Sequence, residues 1–193
     1  MKKISNNAGF TLLETIIAVT LSSLIFLLIA NTYDLNQKIY NKTDNKSEIT
    51  QNGRVILDRL SRELRQTQYL VTELPTNTSN PNTLPDEIMF QDGHDTSQIK
   101  YIRYYLDNGN INRQIIVYYF PADPNTFVRI NDTDQHDPLN PASSTPLVQE
   151  DKIIGEYVSD IEFWGNKLVN INLYLSKNNE TEILNTAIYG RNL

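Results

Sequence analysis

From Phe10 to Ala30 the chain is apolar except for scattered hydroxyls and one charge, Glu14. As a helix at ~1.5 Å per residue, these 21 residues would extend ~31 Å, matching the ~30 Å hydrocarbon core of a bilayer. No Gly or Pro interrupts the run. Thr11, Thr15, Thr20, Ser22 and Ser23 are compatible with it because their hydroxyls can bond to carbonyls of the same helix. After Ala30 the pattern becomes amphipathic. Ile49, Gly53, Ile56, Leu60, Leu64 and Thr67 recur at spacings of three or four and predict one buried helical face. Arg54, Asp58, Arg59, Arg62, Glu63 and Arg65 fill the other faces, and Asp58–Arg62 and Arg59–Glu63 are i,i+4 pairs that predict a solvated surface. The helix should continue to about Gln68 and loosen at Asn41 to Lys46, where Asn, Thr and Asp are weak helix formers.

Leu74 to Pro85 is a loop marked by Pro75, Pro81 and Pro85. Beyond it the period shifts toward strands. Glu87 to Gln91 and Gln98 to Leu106 predict strands, the second joined to Ile111–Phe120 by Asp107-Asn108-Gly109-Asn110, a type I′ hairpin composition. Ile115 to Phe120 is apolar enough to suggest burial on both faces. Pro121 to Pro124 predicts a turn, Thr126 to Ile130 a short strand, and Asn131 to Pro146 a loop. Leu147 to Tyr157 has no clear period. Ser159 to Trp164 predicts a strand and Gly165-Asn166 a turn. Leu168 to Leu175 alternates, with Val169, Ile171, Leu173 and Leu175 on one face. Lys177 to Glu180 predicts a second hairpin turn leading to a last strand, Glu182 to Tyr189. The class is α+β, one long N-terminal helix followed by an antiparallel sheet.

Composition narrows the chemistry. The chain has 193 residues, enough for one domain plus an anchor. It has no cysteine, which removes disulfides, thiolate catalysis, Cys-ligated zinc and a lipoprotein anchor. The net charge is −6 and the sequence pI about 4.9, so bulk nucleic-acid binding is not expected. Asp132, Asp134 and Asp137 form an acidic loop, but it lacks the Gly and distal Glu of a helix-loop-helix calcium site, so no metal or other cofactor is expected. His94 and His136 are the only histidines. They form no metal-spaced pair, and no arrangement suggests a nucleophile, so the chain reads as a non-enzyme. Tyr101, Tyr104, Tyr105, Tyr118 and Tyr119 read as cross-strand partners within the sheet.

The first turns of the apolar run carry the most specific signal. Gly9-Phe10-Thr11-Leu12-Leu13-Glu14 follows a short leader containing Lys2 and Lys3 and no acid. An ordinary secretory signal places its cleavage site after the apolar core, at small residues, whereas this run ends Leu28-Ile29-Ala30. A cut between Gly9 and Phe10 would create an ammonium on Phe10 and make Glu14 the fifth residue of the product. An acidic group inside the apolar run costs ~2.5–3.5 kcal/mol at a helix centre and needs a partner; the Phe10 ammonium of a neighbouring copy would supply one. Loss of Lys2 and Lys3 would take the net charge from −6 to −8.

These residues resemble the class III signal of type IV pilins and type II secretion pseudopilins. The resemblance implies cleavage after Gly9 by a prepilin peptidase, methylation of Phe10, and an assembly role for Glu14. It also implies the pilin fold, a helix spine packed on a strand meander. The segment from Arg54 to Arg65, the strand Ile161-Glu162-Phe163-Trp164 and the terminal Arg191-Asn192-Leu193 look like the J-type minor pseudopilin and the W-type minor pilin. The implied organisation is a leader at residues 1–9, a transmembrane half-helix at 10–30, an amphipathic half-helix at 31–71 and a β-rich head at 72–193. The implied role is a minor subunit that helps initiate or cap a pilus or pseudopilus. Its expected partners are other pilins, the prepilin peptidase, an inner-membrane assembly platform and membrane lipid. Lys2 and Lys3 place the leader in the cytoplasm and the head outside it. A major or competence pilin, and an anchored adhesion domain that never polymerises, remain the alternative readings.

Overall fold

A computed structural model describes residues 11–78, 84–94, 98–134 and 142–190. Gly9, Phe10, Pro81, His136, Asp137 and Arg191 to Leu193 lie outside the described residues. Among the described residues, one helix, α1 (Leu12–Gln66), is followed by nine strands. The chain divides into two units, Met1–Asp44 and Asn45–Leu193. In the first, every residue from Thr11 to Asp44 is helical or caps the helix, and every one is exposed. The helix also runs without a break through Asn41 to Lys46, where loosening was expected. Each weak helix former there costs at most ~0.7 kcal/mol, too little to interrupt a helix already propagating from both sides.

The second unit contains the core. Ile49, Gly53, Ile56, Leu60 and Leu64 are buried on one face of α1, and Thr67 is buried just beyond its end, as the spacing predicts. The strands are β1 (Tyr69–Leu70), β2 (Glu87–Gln91), β3 (Tyr101–Asp107), β4 (Asn110–Phe120), β5 (Asp123–Val128), β6 (Thr145–Gly155), β7 (Val158–Gly165), β8 (Leu168–Lys177) and β9 (Glu180–Tyr189). All pairings are antiparallel. The helical stripe joins Ile88 and Phe90 of β2, Ile102 and Tyr104 of β3, Ile161 and Phe163 of β7, and Val169, Ile171, Leu173 and Leu175 of β8 in one cluster. Burial of each large side chain stabilises by about 1.5–3 kcal/mol. Gly53 allows close approach: a Cβ there would lie 2.5 Å from Leu184 Cδ1 and 2.8 Å from Leu175 Cδ1.

The strands form two sheets, which corrects the expectation of a single meander. One sheet runs β1-β2-β3-β4-β5 with β6 also on β4; the other is β7-β8-β9. Tyr118 and Tyr119 pair with both β5 and β6, so those strands flank β4 on opposite sides, and β5 continues the side that β3 occupies. The chain leaves the first sheet at Gly155-Glu156-Tyr157. A Cβ on Gly155 would lie 2.3 Å from two carbons of Ile56, and Tyr157 holds φ 64°, a conformation rare for a bulky residue. Lys177 lies over the Tyr157 ring and bonds Glu48 of α1, and the Tyr157 carbonyl accepts from the amide of Ser176, at 2.8 Å. This corner redirects β7 into a new sheet.

Other expectations hold with small shifts of boundary. Asn108 and Gly109 both have positive φ, as a type I′ turn demands, and so do Asn178 and Asn179 in the second hairpin. The buried face of β8 is Val169, Ile171, Leu173 and Leu175. The region read as lacking a period, Leu147 to Tyr157, is largely β6. Two register shifts against β4 break its alternation, at Ile111/Asn112 and Ile115/Ile116. The tyrosines pair within the sheet: Tyr101 meets Tyr118 edge-on at 5.4 Å, and Tyr104 stacks with Phe90 at 6.2 Å.

Leu60 is fully buried in the stripe, whereas Val55 on the same helix is 53% exposed. Leu60→Ala should cost about 2–5 kcal/mol and Val55→Ala under about 0.5 kcal/mol. Urea unfolding of the detergent-solubilised chain, followed by Trp164 fluorescence, measures both.

Candidate functional site

The N-terminus of α1 is closed by its own side chains. The Thr11 amide donates to Glu14 Oε2 at 2.9 Å, the Thr11 hydroxyl donates to the same oxygen at 2.9 Å, and the Glu14 amide donates to Thr11 Oγ1 at 3.3 Å. This is a reciprocal capping box: the Thr-x-x-Glu spacing places two otherwise orphaned amides against side-chain oxygens. The acid also sits where the helix dipole favours negative charge. The sequence reading assigned Glu14 only an intermolecular partner. The Thr-Leu-Leu-Glu spacing could have revealed the intramolecular one.

The hydroxyls farther along turn inward on the backbone. Thr15 Oγ1 donates to the carbonyl of Leu12 at 2.8 Å, Thr20 to those of Ile16 and Ile17 at 3.1 and 2.9 Å, and Ser23 to that of Thr20 at 2.8 Å. What remains outward is apolar and unpartnered in the single chain: Leu12, Leu13, Ile16, Ile17, Val19 and Leu21, continuing to Ile29, are all about half exposed or more. Such a surface is costly in water and needs lipid or other helices around it. The segment is long and apolar enough to cross a membrane. With the capping box at its head, it carries a single charge, on Glu14.

A second polar cluster lies where α1 meets the first sheet. Arg113 of β4 faces α1 and donates from Nε to both carboxylate oxygens of Glu63 at 3.0 Å, and from Nη1 to Glu150 Oε1 at 3.4 Å. The Tyr104 hydroxyl donates to Glu63 Oε2 at 2.6 Å. Arg59 Nε lies 3.6 Å from Glu63. Burial alone would lower the Arg113 pKa, but the bond to Glu63 and its charge outweigh that and raise it. Tyr104 is pushed far above the ordinary tyrosine value by burial first, then by the Glu63 charge and hydrogen bond. Sequence reasoning placed Glu63 on a solvated face with Arg59 as its partner. That pair exists, but Arg113 and Tyr104 hold Glu63 from the sheet. An arginine inside a predominantly buried strand was the available signal.

The remaining candidates are dispersed. Asp132 Oδ2 accepts from the amide of Arg129 at 3.0 Å, and the largely buried Asp134 donates its amide to the carbonyl of Ala142 at 2.8 Å. The amide of His94 donates to Asp92 Oδ1 at 2.9 Å, a local turn. Among the described residues, no three His, Asp or Glu side chains converge on a metal position.

Tyr104 generates a pH prediction. Its proton is held in the folded state above the pH, near 10, at which an unfolded tyrosine loses it. Above that pH the unfolded state binds fewer protons than the folded one, so stability falls as pH rises. The contribution is complete below about pH 10 and is lost above it. Between about pH 10 and 11.5, Tyr104→Phe should flatten the decline by roughly 1.4 kcal/mol per pH unit relative to the parent chain. Urea unfolding across that range measures the two slopes.

Comparison with known proteins gives one match. Residues 4–30 fit the family model described as the prokaryotic N-terminal methylation motif. No curated protein and no solved structure matches the chain. The matched segment contains the Thr11–Glu14 cap and the exposed apolar run. It supports a type IV pilin-like subunit, with the processing by prepilin peptidase and the association with other pilins that the motif implies.

Proposed function

We propose that this chain is a minor subunit of a type IV pilus or type II secretion pseudopilus, cleaved after Gly9, N-methylated at Phe10, and used to initiate or cap the filament. One observation carries the reading. The methylation-motif match at residues 4–30 coincides with a helical segment, residues 12–30, whose exposed surface is apolar apart from hydroxyls and the one charge of Glu14. The choice of a minor subunit rests on the resemblance of the Arg54–Arg65 segment and the Ile161–Trp164 strand, and on the lack of cysteines to close a terminal disulfide loop.

The proposed mechanism requires no catalysis by this chain. Lys2 and Lys3 hold the leader in the cytoplasm, so the strands follow on the far side of the inner membrane. Before assembly, Thr11 supplies two donors to Glu14 and reduces the cost of keeping a carboxylate at the membrane boundary. After cleavage, the Phe10 ammonium of an adjacent subunit offers a full positive charge. The carboxylate–ammonium attraction strengthens as the dielectric falls, so the exchange sets axial register most firmly within the apolar bundle. The helix contributes packing surface, Glu14 register and the strand domain contacts to neighbouring subunits and the assembly platform.

Mass spectrometry of the N-terminal peptide from the native membrane is the direct test. A peptide beginning at Phe10 and heavier by one methyl group is expected. A peptide beginning at Met1, in cells with active prepilin peptidase, would overturn the processing step. Glu14→Val should still insert in the membrane but lose most co-purification with partner pilins. Unchanged co-purification would mean a membrane-anchored domain that does not polymerise.

A further inference from the structure

β9 (Glu180–Tyr189) forms one margin of the second sheet. Its ten pairs with β8 run without a register shift. Lys177 and Glu180 flank the two-residue turn Asn178-Asn179, so they exchange both backbone hydrogen bonds, and the pairs alternate from there. The amide of Gly190 donates to the carbonyl of Lys167 at 3.3 Å and keeps the same alternation. The even-numbered residues of β9 are therefore bonded to β8. Thr181, Ile183, Asn185, Ala187 and Tyr189 point their amides and carbonyls away from it, and among the described residues no strand meets them. All five are exposed.

Unpaired edges invite association, and the other margins here are blunted. β1 is two residues long. β5 holds Pro124 and a register shift against β4. β6 holds Pro146, Lys152 and two register shifts. In β7 the amides of Phe163 and Gly165 donate to the carbonyls of Pro85, at 3.3 Å, and Pro75, at 2.8 Å. β9 has no Pro, no Lys and no bulge. Its two charges lie at the hairpin end, where Glu182 pairs with Lys46, and Ile183 to Tyr189 is uncharged.

We propose that β9 is a docking edge for an extended segment of a partner polypeptide, which adds antiparallel to it as a further strand of the second sheet. Main-chain hydrogen bonding selects the occupant. Only a strand offers alternating acceptors and donors at the spacing of the five outward residues. Side chains add a preference. Ile183 is 55% and Tyr189 62% exposed, and Leu168 of β8, opposite Tyr189, is 46% exposed. Apolar residues at alternate positions of the incoming segment would cover them. A second copy of this chain is disfavoured. Two β9 strands meeting antiparallel are related by a two-fold axis perpendicular to the sheet. That axis sets residues 45–66 of the two α1 helices, packed on the sheets, in opposite directions. Subunits that enter one membrane through the residues before Asn45 must point those segments the same way, and this exclusion alone rests on the subunit reading above.

The test uses the full chain in a neutral detergent and the fluorescein-labelled peptide Val-Thr-Val-Thr-Val-Thr-Val-Thr-Val, read by fluorescence anisotropy. Its Thr amides carry N-methyl groups, so only the edge formed by the Val residues can pair. Saturable binding is expected. The same peptide with every amide methylated has no donor left and should bind roughly tenfold more weakly or not at all. Asn185→Pro removes an amide that β8 does not use, so the sheet persists, which Trp164 emission checks, and affinity should fall roughly tenfold. Gln149→Pro, at a bulge of β6, should change affinity less than about twofold. Absence of saturable binding, equal binding of the two peptides, or equal effects of the two Pro variants would overturn the proposal. So would a dimer of the full chain trapped as a disulfide between Asn185→Cys copies, in favour of a second copy as the occupant; the chain has no cysteine of its own to confuse the result. The mass of the N-terminal peptide is measured in parallel. Processing at Phe10 without peptide binding removes only the docking edge, whereas an unprocessed Met1 terminus with peptide binding removes the subunit reading and leaves the edge.

Discussion

The head domain depends on burial of one face of α1. Ile49, Ile56, Leu60 and Leu64 contribute side chains to a single cluster that also draws on six of the strands, and Gly53 contributes the absence of one. Neither sheet has enough apolar surface to close a core alone. The three strands β7–β9 bury alternate residues of β7 and β8, and without the helix that surface would face water. The requirement for close approach recurs at Gly155, where Ile56 occupies the space of a side chain. The two glycines therefore set the distance of the strands from the helix at neighbouring positions of the stripe, Gly53 itself and Ile56 one turn on.

Polar contacts then fix position along that greasy surface. Apolar packing tolerates sliding, but the bond from Arg113 to both oxygens of Glu63 does not. A mostly buried ion pair of this kind adds little net stability over an apolar replacement, while loss of one partner leaves an uncompensated charge. Its value here is registry, with Tyr104 completing the hydrogen bonding of Glu63. At the other end of the stripe, Glu48–Lys177 and Lys46–Glu182 tie α1 to the β8–β9 hairpin. The helix is pinned by charge at both ends of its buried face and packed by apolar groups between them.

The preceding segment of α1 solves a different problem with the same backbone. The hydroxyls of Thr15, Thr20 and Ser23 are satisfied by carbonyls of the same helix, and its first acid by its own Thr11. Self-satisfaction leaves an apolar exterior suited to lipid or to other helices. It also holds Glu14 at the helix terminus against Thr11. The match to the N-terminal methylation motif falls on this segment, and the pilin-like reading follows from that coincidence.

Local periodicity determined much of this protein. The span from Leu12, the buried stripe from Ile49 to Leu64, the alternation of β8 and the Asn108-Gly109 hairpin each follow from interactions within a few residues, and each was legible without a fold. The methylation motif was legible for the same reason, because it is a short contiguous segment. The cap on Glu14 is equally local, set by the Thr-x-x-Glu spacing. Tertiary structure decided what depends on distant neighbours. β6 is a strand because β4 offers it an edge, despite the bulges that erase its alternation. The strands divide into two sheets because Gly155 and Tyr157 turn the chain against α1. Glu63 leaves the solvated face because Arg113, fifty residues later in the sequence, is brought beneath it. Sequence carries the preferences of a residue for its neighbours along the chain, and only folding supplies the neighbours across it.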